Sequence, residues 1–589
     1  MASLHIIKMF CFAQECIDEW ILTRRRAKSS CLVGCPFRQV VSRRLEAKAR
    51  PGEPIRLRFR CGIDLSLRQL RIFWTNDGSH PIWNGPSTTQ HLDAQPLPPV
   101  WDTLTWGYRQ DWQAILPAQA DATILRYVAV GVDSCGRTLP CPWPGRDRHG
   151  SPHVATVTVD RLDPPTWLRQ AVIYQVFVDR FAPSPGSVFA SADDLDARLG
   201  GTLWGLIERL DHLVHLGVDT LWLSPIFASP NYHGYAVRDF YQVEPALGGD
   251  EAWQQLVDAC RQRGLRIVLD FVANHLSDRH PAFVAALDPD DLVHRRWFRF
   301  RRWPDQFDCF FAQPHQPELD GEQPHVRDYL NAAAVYWLRL GCDGYRLDHA
   351  HGLSHGFWSE FRAATRSAAP HSVCFGEVTH TPQTLRSYAG RMDGLLDFPL
   401  CMLLRDTFAR AEISLSHFDR RLCRHLDYLH GPMVMPSFLD NHDMNRFLIT
   451  AGGDVRRLKV AALVQFLLPG PPIIYYGTEI GLSQRRPLGR LEESRLPMPP
   501  REQWDHDLRD FYRLLIRLRR RVAAHEQRPL LLWVDDDARC AAWQVGAVVL
   551  VVNLGASPCQ TLDASRLLLA TDPTTGPHLP AWSAAVLQA

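Results

Sequence analysis

Gly264-Leu265-Arg266-Ile267-Val268-Leu269-Asp270-Phe271-Val272-Ala273-Asn274-His275 decides how the middle of this chain is read. Ahead of it, Trp253, Leu256, Val257 and Cys260 recur at helical spacing, and Gly264 ends that helix. Arg266 to Val272 then reads as a strand. The preceding stretch has the same grammar. Leu203, Leu206, Ile207, Leu210, Leu213 and Val214 repeat as one helix face, Gly217 stops the helix, and Thr220-Leu221-Trp222-Leu223 begins a strand. Ala171 to Val178 (AVIYQVFV) is strand-like as well, and the alternation runs on to Pro472-Ile473-Ile474-Tyr475-Tyr476. Eight strand candidates result, near residues 172, 220, 267, 344, 373, 394, 434 and 473. Eight short strands alternating with helices predict an α/β fold, a closed (β/α)8 TIM barrel rather than an open doubly wound sheet.

Outward from the barrel, 589 residues exceed what one hydrophobic core usually organises, so smaller companions are expected. Residues 1–50 hold ten Lys/Arg against four Asp/Glu and no sustained period, which reads as a basic extension. Residues 51–161 carry short alternating runs, such as Ile55 to Phe59 and Val154 to Val159, between turn-forming clusters, and predict a β-sandwich. Its Trp74, Trp83, Trp101, Trp106 and Trp112 are expected mostly in the sandwich core. Leu162-Asp163-Pro164-Pro165 is the linker into a barrel assigned to residues 165–526. Residues of about 275–325 are too many for an ordinary βα loop and predict an inserted subdomain over the active face. Residues 527–589, with Ala547 to Asn553 as their clearest strand, predict a C-terminal β-domain.

Composition narrows the function class. The formal charge is +1, from 65 basic and 64 acidic residues, so no field favours nucleic acid or an anionic membrane. A neutral partner fits best. No window reaches the roughly 18 to 20 uncharged apolar residues of a membrane span. The first residues lack the order of a secretory signal, and 15 Cys scattered along the chain read as reduced thiols; the expected location is the cytoplasm.

Active sites on such barrels collect at the C-terminal strand ends. Four apolar runs end there in polar residues: Asp270-Phe271-Val272-Ala273-Asn274-His275, Tyr345-Arg346-Leu347-Asp348, Val373-Cys374-Phe375-Gly376-Glu377 and Phe438-Leu439-Asp440-Asn441-His442-Asp443. Arg346 and Asp348 are two apart on a strand and share a face, so the cation favours an ionised carboxylate. Cleavage of a glycosidic bond with retention needs two carboxyl groups about 5 to 5.5 Å apart. Asp348 and Glu377, on neighbouring strands, are the candidates. A metal site at His349, His351 and His355 is the competing reading of the same region, although no carboxylate completes a metal-like pattern there.

These motifs, in this order, resemble glycoside hydrolase family 13, the α-amylase family. The resemblance covers roughly residues 165 to 525. It includes Tyr174 to Phe181 (YQVFVDRF), Trp222 to Phe227 (WLSPIF), His233-Gly234-Tyr235 and Tyr475-Tyr476-Gly477-Thr478-Glu479. It implies Asp348 as nucleophile, Glu377 as general acid/base and Asp443 as the third carboxylate. It further implies that Arg346, His275 and His442 hold the nucleophile or bind the sugar, that Tyr235 is the platform beneath that sugar, and that His233 contacts a hydroxyl. Asp270 resembles a structural partner of Arg346. Asn274 matches a position that holds calcium in some members, but a structural asparagine is an equal reading, so no cofactor is required and no metal residue is assigned.

The match departs at His351-Gly352, where α-amylases carry Lys-His and neopullulanase-like members Asn-Glu. His351 therefore borders the acceptor side with an unfamiliar partner, and substrate choice stays open there. The expectation is hydrolysis, with retention, of α-1,4 or also α-1,6 bonds in malto-oligosaccharides or related α-glucans. Transfer to a sugar acceptor, or action on sucrose- or trehalose-type disaccharides, is the alternative. The N-terminal β-domain is similar to modules that bind starch or form homodimers ahead of such barrels.

Overall fold

A computed structural model describes residues 49–62, 67–83, 89–102, 107–140, 154–161, 163–431, 433–487, 491–560 and 564–589. All but two residues of the basic extension read from the sequence as 1–50, and Trp106, lie outside the described residues. No helix among the described residues is long and apolar enough to cross a membrane.

The described chain divides into two compact units. The larger comprises residues 164–350, 364–379 and 393–589 and is organised by eight parallel strands: β1 (Ile173–Val176), β2 (Thr220–Leu223), β3 (Arg266–Phe271), β4 (Gly344–Leu347), β5 (Val373–Gly376), β6 (Gly394–Leu395), β7 (Ser437–Phe438) and β8 (Pro472–Tyr475). Each pairs in parallel with the next from β1 to β6, and β1 also pairs with β8, which pairs with β7. A parallel bridge from Gly394 to Val434, with the Leu395 amide donating to the Val434 carbonyl at 3.1 Å, joins β6 to the chain entering β7 and closes the ring. The result is a (β/α)8 barrel.

Local chemistry explains the elements that carry this ring. The helix Leu203–Leu216 starts where the Thr202 hydroxyl accepts the Gly205 amide, and it buries Leu203, Leu206, Leu210, Leu213 and Leu216 along one face. It stops at Gly217, whose φ of 105° is costly for any residue with a Cβ. Gly344 opens β4 for a different reason. A Cβ there would lie 2.3 Å from the Val373 carbonyl oxygen, so only glycine lets β5 approach. Ile173, Trp222, Val268, Val373, Phe375 and Phe438, from five of the strands, pack in one buried cluster.

β1 ends two residues earlier than the apolar run AVIYQVFV suggests, because Val178–Phe181 turns into a short helix. There the Asp179 carboxylate accepts the Leu199 amide at 2.9 Å and Arg180 donates to the Leu195 and Ala197 carbonyls. The turn is held by that loop. After β3 the chain forms helices Pro281–Ala286 and Leu292–Arg295 and a hairpin of Phe300–Arg302 with Gln306–Phe307, around Phe283, Phe298 and Phe307. The stretch Gln316 to Asp320 returns antiparallel to the end of β3, bridging Glu318 to His275. Beyond the barrel, Leu530–Asp535, Cys540–Val545, Val548–Asn553, Ser583–Gln588 and Leu567–Ala570 form an antiparallel sheet in that order.

The second unit has two antiparallel sheets, built on Ile55–Gly62 with Gly107–Leu116 and on Leu67–Thr75 with Thr123–Asp133. Trp74 and Trp112 lie in their shared core, while Trp101 is 46% exposed and meets Tyr108 edge-on at 5.1 Å. Residues 351–363 and 380–392 cluster with these sheets. The buried pair Arg362 and Asp160, 3.0 Å apart, and the ion pair of Arg126 with Glu360 are part of that clustering.

Candidate active site

Arg346 is the centre of the site. It comes from β4, is fully buried, and its Nη1 donates to Asp270 of β3 at 2.7 Å and to Asp348 at 2.8 Å, while Nη2 lies 2.9 Å from Glu377. One guanidinium thus spans the ends of β3, β4 and β5. Alternation along the strand places Arg346 and Asp348 on the same face, and neighbouring parallel strands bring the other two carboxylates to it. Asp348 and Glu377 retain 9% and 17% side-chain exposure, enough to meet a ligand from the open end.

Glu377 also accepts the backbone N–H of His349 at 3.1 Å. His349 makes that contact with φ of 39°, a left-handed conformation that is costly for a residue with a Cβ. Burial, and then the Asp443 carboxylate, raise Glu377 above the ordinary carboxylate range against the opposing charge of Arg346. Burial pushes Asp348 up as well, with Arg346 opposing and the carboxylates of Glu377, Asp270 and Asp443 adding to the rise. The two groups titrate as a pair.

Asp443 behaves in the opposite way. Burial opposes its ionisation, but His442 Nε2 at 2.9 Å and Arg495 Nη2 at 2.9 Å hold it below the usual range. The orientation of His442 is set from behind: Gln175 of β1 donates its amide to Nδ1 at 2.7 Å, leaving the proton on Nε2. Tyr235 stacks on His442 with centroids 5.4 Å apart and planes within 5°, and its hydroxyl donates to Asp270 at 2.9 Å. His233 lies beside Tyr235 and accepts the Tyr235 amide at 3.0 Å. His275 donates Nε2–H to the Tyr235 carbonyl at 3.1 Å, and Phe310 from the insertion stacks on its ring at 4.2 Å. Burial pushes His275 down to about 3, so the ring is neutral.

Asp348, Glu377, Asp443, Arg346, Asp270, Tyr235, His233, His275 and His442 therefore belong to one connected network. Asn274 joins it only through its amide, 3.4 Å from His275 Nδ1. His351 falls in the other unit, where its ring packs against His380 at 4.9 Å. The spacing of His349, His351 and His355 brings no metal group together, and His355 instead bonds Ser387 at 2.8 Å. Arg495, Gln175 and Phe310 belong to the network without having been singled out from the sequence as site residues. Gln175 carried a usable signal, a polar residue inside the apolar run of β1. Arg495 and Phe310 carried none, since loops after β8 and β3 place them.

Such a network presents a carboxyl pair that burial pushes above the ordinary range, a third carboxylate held below it, and a neutral aromatic wall. It suits a neutral ligand that develops positive charge during reaction.

A family model described as alpha amylase, catalytic domain, matches residues 175–523. Alpha-amylase 2 of Dictyoglomus thermophilum is 38% identical over 371 residues, covering 62% of this chain and 65% of that protein. Neopullulanase 2 of Thermoactinomyces vulgaris is 35% identical over 403 residues, covering 63% of this chain and 66% of that protein. Among solved structures, the cyclic alpha-maltosyl-(1→6)-maltose hydrolase of Arthrobacter globiformis is similar with a TM-score of 0.65 and 28% identity, over 73% of this chain and 100% of that one. The match spans just under two thirds of the length of these two curated relatives. Because the family match takes in more than half of the chain, including every strand end described above, the chain belongs to the α-amylase family.

Proposed function

We propose that the protein is a retaining α-glycosidase that hydrolyses α-1,4 and α-1,6 glucosidic bonds in malto-oligosaccharides or related α-glucans. The observation that carries this reading is the single Arg346 guanidinium joining Asp348 and Glu377. It holds two carboxyl groups at adjacent strand ends, as a two-step displacement requires.

The pair carries one proton in the resting state, and we place it on Glu377. Burial and neighbouring carboxylates push Asp348 up further, but the bonding favours the other assignment. Arg346 Nη1 makes a formed hydrogen bond to Asp348, whereas Nη2 approaches Glu377 without the alignment of one. Asp348 then attacks the anomeric carbon as the bond to the leaving oxygen breaks and Glu377 gives that oxygen its proton. In the second step Glu377 takes a proton from water, the water oxygen bonds the anomeric carbon, and the Asp348 carboxylate departs. Two inversions give net retention. Asp443 stabilises the positive ring in both transition states, and Tyr235 offers an apolar face to it.

The α-1,6 component rests on relatives named neopullulanase and cyclic maltosyl-maltose hydrolase. Chromatography of products from maltoheptaose, cyclodextrin, pullulan, sucrose and trehalose tests the whole reading. Shorter glucans of α configuration, absent with Glu377→Gln, are expected. Longer products would move the assignment to transfer, and equal activity of the variant would overturn the site.

A further inference from the structure

Outside the strand-end network, one cluster has the donor set of a metal centre. Asp397 follows β6, His425 lies in the last two turns of helix Leu415–Leu429, and His430 is the residue that ends that helix. Each offers one ligand atom, and these atoms all lie within 4.8 Å of one another; among the described residues no other His, Cys, Asp or Glu trio is gathered so closely.

The carboxylate is already committed on one side. Asp397 is fully buried, and its Oδ1 accepts the Leu400 amide at 3.1 Å as the cap of helix Phe398–Leu404. Oδ2 faces both imidazoles, with His425 Nε2 at 2.8 Å and His430 Nε2 at 3.5 Å. It satisfies only the first, and His430 Nε2 is buried without a hydrogen bond. A buried polar atom left without a partner calls for an explanation, and an ion or a water is one of the few available. Beside His430 lies a cavity of about 130 Å³, with Arg169, Met433, Met435 and His525 in its wall, roomy enough for a water as fourth ligand.

We propose that Asp397, His425 and His430 bind a divalent cation of the zinc class. Two imidazoles and a carboxylate are the donors zinc takes, at about 2.0 to 2.2 Å each. Donors at tetrahedral angles and those lengths stand roughly 3.3 to 3.5 Å apart. The 2.8 and 3.5 Å separations from Asp397 bracket that spacing, and the two imidazole nitrogens lie within 4.8 Å of each other, so shifts of the side chains alone bring the three donors to a common cation. The Leu400 amide orients the carboxylate from behind, as the outer partners of metal ligands do. Bound there, the cation ties the end of one helix to the segment leaving β6.

The test is titration of the chelator-treated full chain with Zn²⁺ by calorimetry, and with Co²⁺ by visible absorption. One equivalent of Zn²⁺ and a tetrahedral Co²⁺ spectrum are expected, with affinity reduced at least about tenfold in His425→Gln and in His430→Gln. His430 sits at a helix end beside the cavity, so His430→Gln should keep the metal-free melting temperature and report ligation alone. Absence of stoichiometric Zn²⁺, an octahedral Co²⁺ spectrum, or unchanged affinity in both variants would overturn the proposal.

Discussion

Arg495 holds Asp443 by its Nη2, 2.9 Å from Oδ1, while its Nε donates to the His442 carbonyl at 2.9 Å and its Nη1 to the Tyr232 hydroxyl at 3.0 Å. All three arms of the guanidinium are engaged, so the carboxylate has a fixed position and stays ionised. Removing the fork in Arg495→Met should lower kcat/KM by about 10²-fold, the scale of a displaced catalytic group. Arg495→Lys restores charge without the fork and should recover only part. The conservative variant separates positioning from folding. Equal losses in Arg495→Lys and Arg495→Met, or no loss in either, would sink this role.

Phe311 is half exposed, lies next to Phe310, and has φ of 44°. A bulky side chain in the left-handed region costs about 1 to 2 kcal/mol, and here it places an aromatic ring beside His349 at 5.8 Å. Such a ring is suited to stacking on a sugar. In Phe311→Gly, relief of strain and the added freedom of glycine nearly offset one another, so stability should change by less than about 1 kcal/mol. KM for oligosaccharides should rise roughly 3- to 10-fold, the worth of one stacking contact. A variant with unchanged KM for both short and long substrates would remove Phe311 from the binding surface.

The barrel was legible because each strand is an apolar run bounded by helix stops, as with Gly217 before β2 and Gly264 before β3. The carboxylates were legible because they end those runs. Asp348 follows Leu347 and Glu377 follows Gly376, so neither fits as core. What could not be read depends on contacts distant in sequence. Residues 351–363 join the N-terminal sheets through pairs such as Arg362 with Asp160, about which local pattern is silent. Arg495 reaches Asp443 from a loop with no regular period, and Asp397 meets His425 and His430 only once residues some thirty positions apart are brought together by the fold.

His275 gives the fold an acid sensitivity with a defined window. Burial lowers its pKa to about 3 in the folded chain, whereas the unfolded ring takes a proton near 6.5. Between those values the unfolded state binds the extra proton, so stability present above pH 6.5 is lost as pH falls toward 3. At pH 4 the loss from this ring is about 3 kcal/mol. Urea unfolding of the barrel at pH 7 and pH 4 measures it. His275→Gln should be less stable at pH 7 yet lose less on acidification, and an equal loss in both proteins would contradict the assignment.

Gln175 controls the side of His442 that faces the substrate. Its amide donates to Nδ1, so Nε2 carries the hydrogen that lies between the Tyr235 hydroxyl at 2.6 Å and Asp443 at 2.9 Å. Gln175→Glu replaces the donor with an acceptor of nearly the same shape. Nδ1 must then carry the ring proton, so the neutral imidazole presents a bare Nε2 to Asp443. A bare Nε2 repels the Asp443 carboxylate and frees Tyr235. Activity of Gln175→Glu should therefore fall about 10- to 100-fold, as for other partners that fix a histidine tautomer. Gln175→Met neither donates nor accepts strongly, leaves the ring free to keep its proton on Nε2, and should fall less. Comparing kcat/KM of the two variants distinguishes tautomer control from simple packing, since a packing defect would lower both equally.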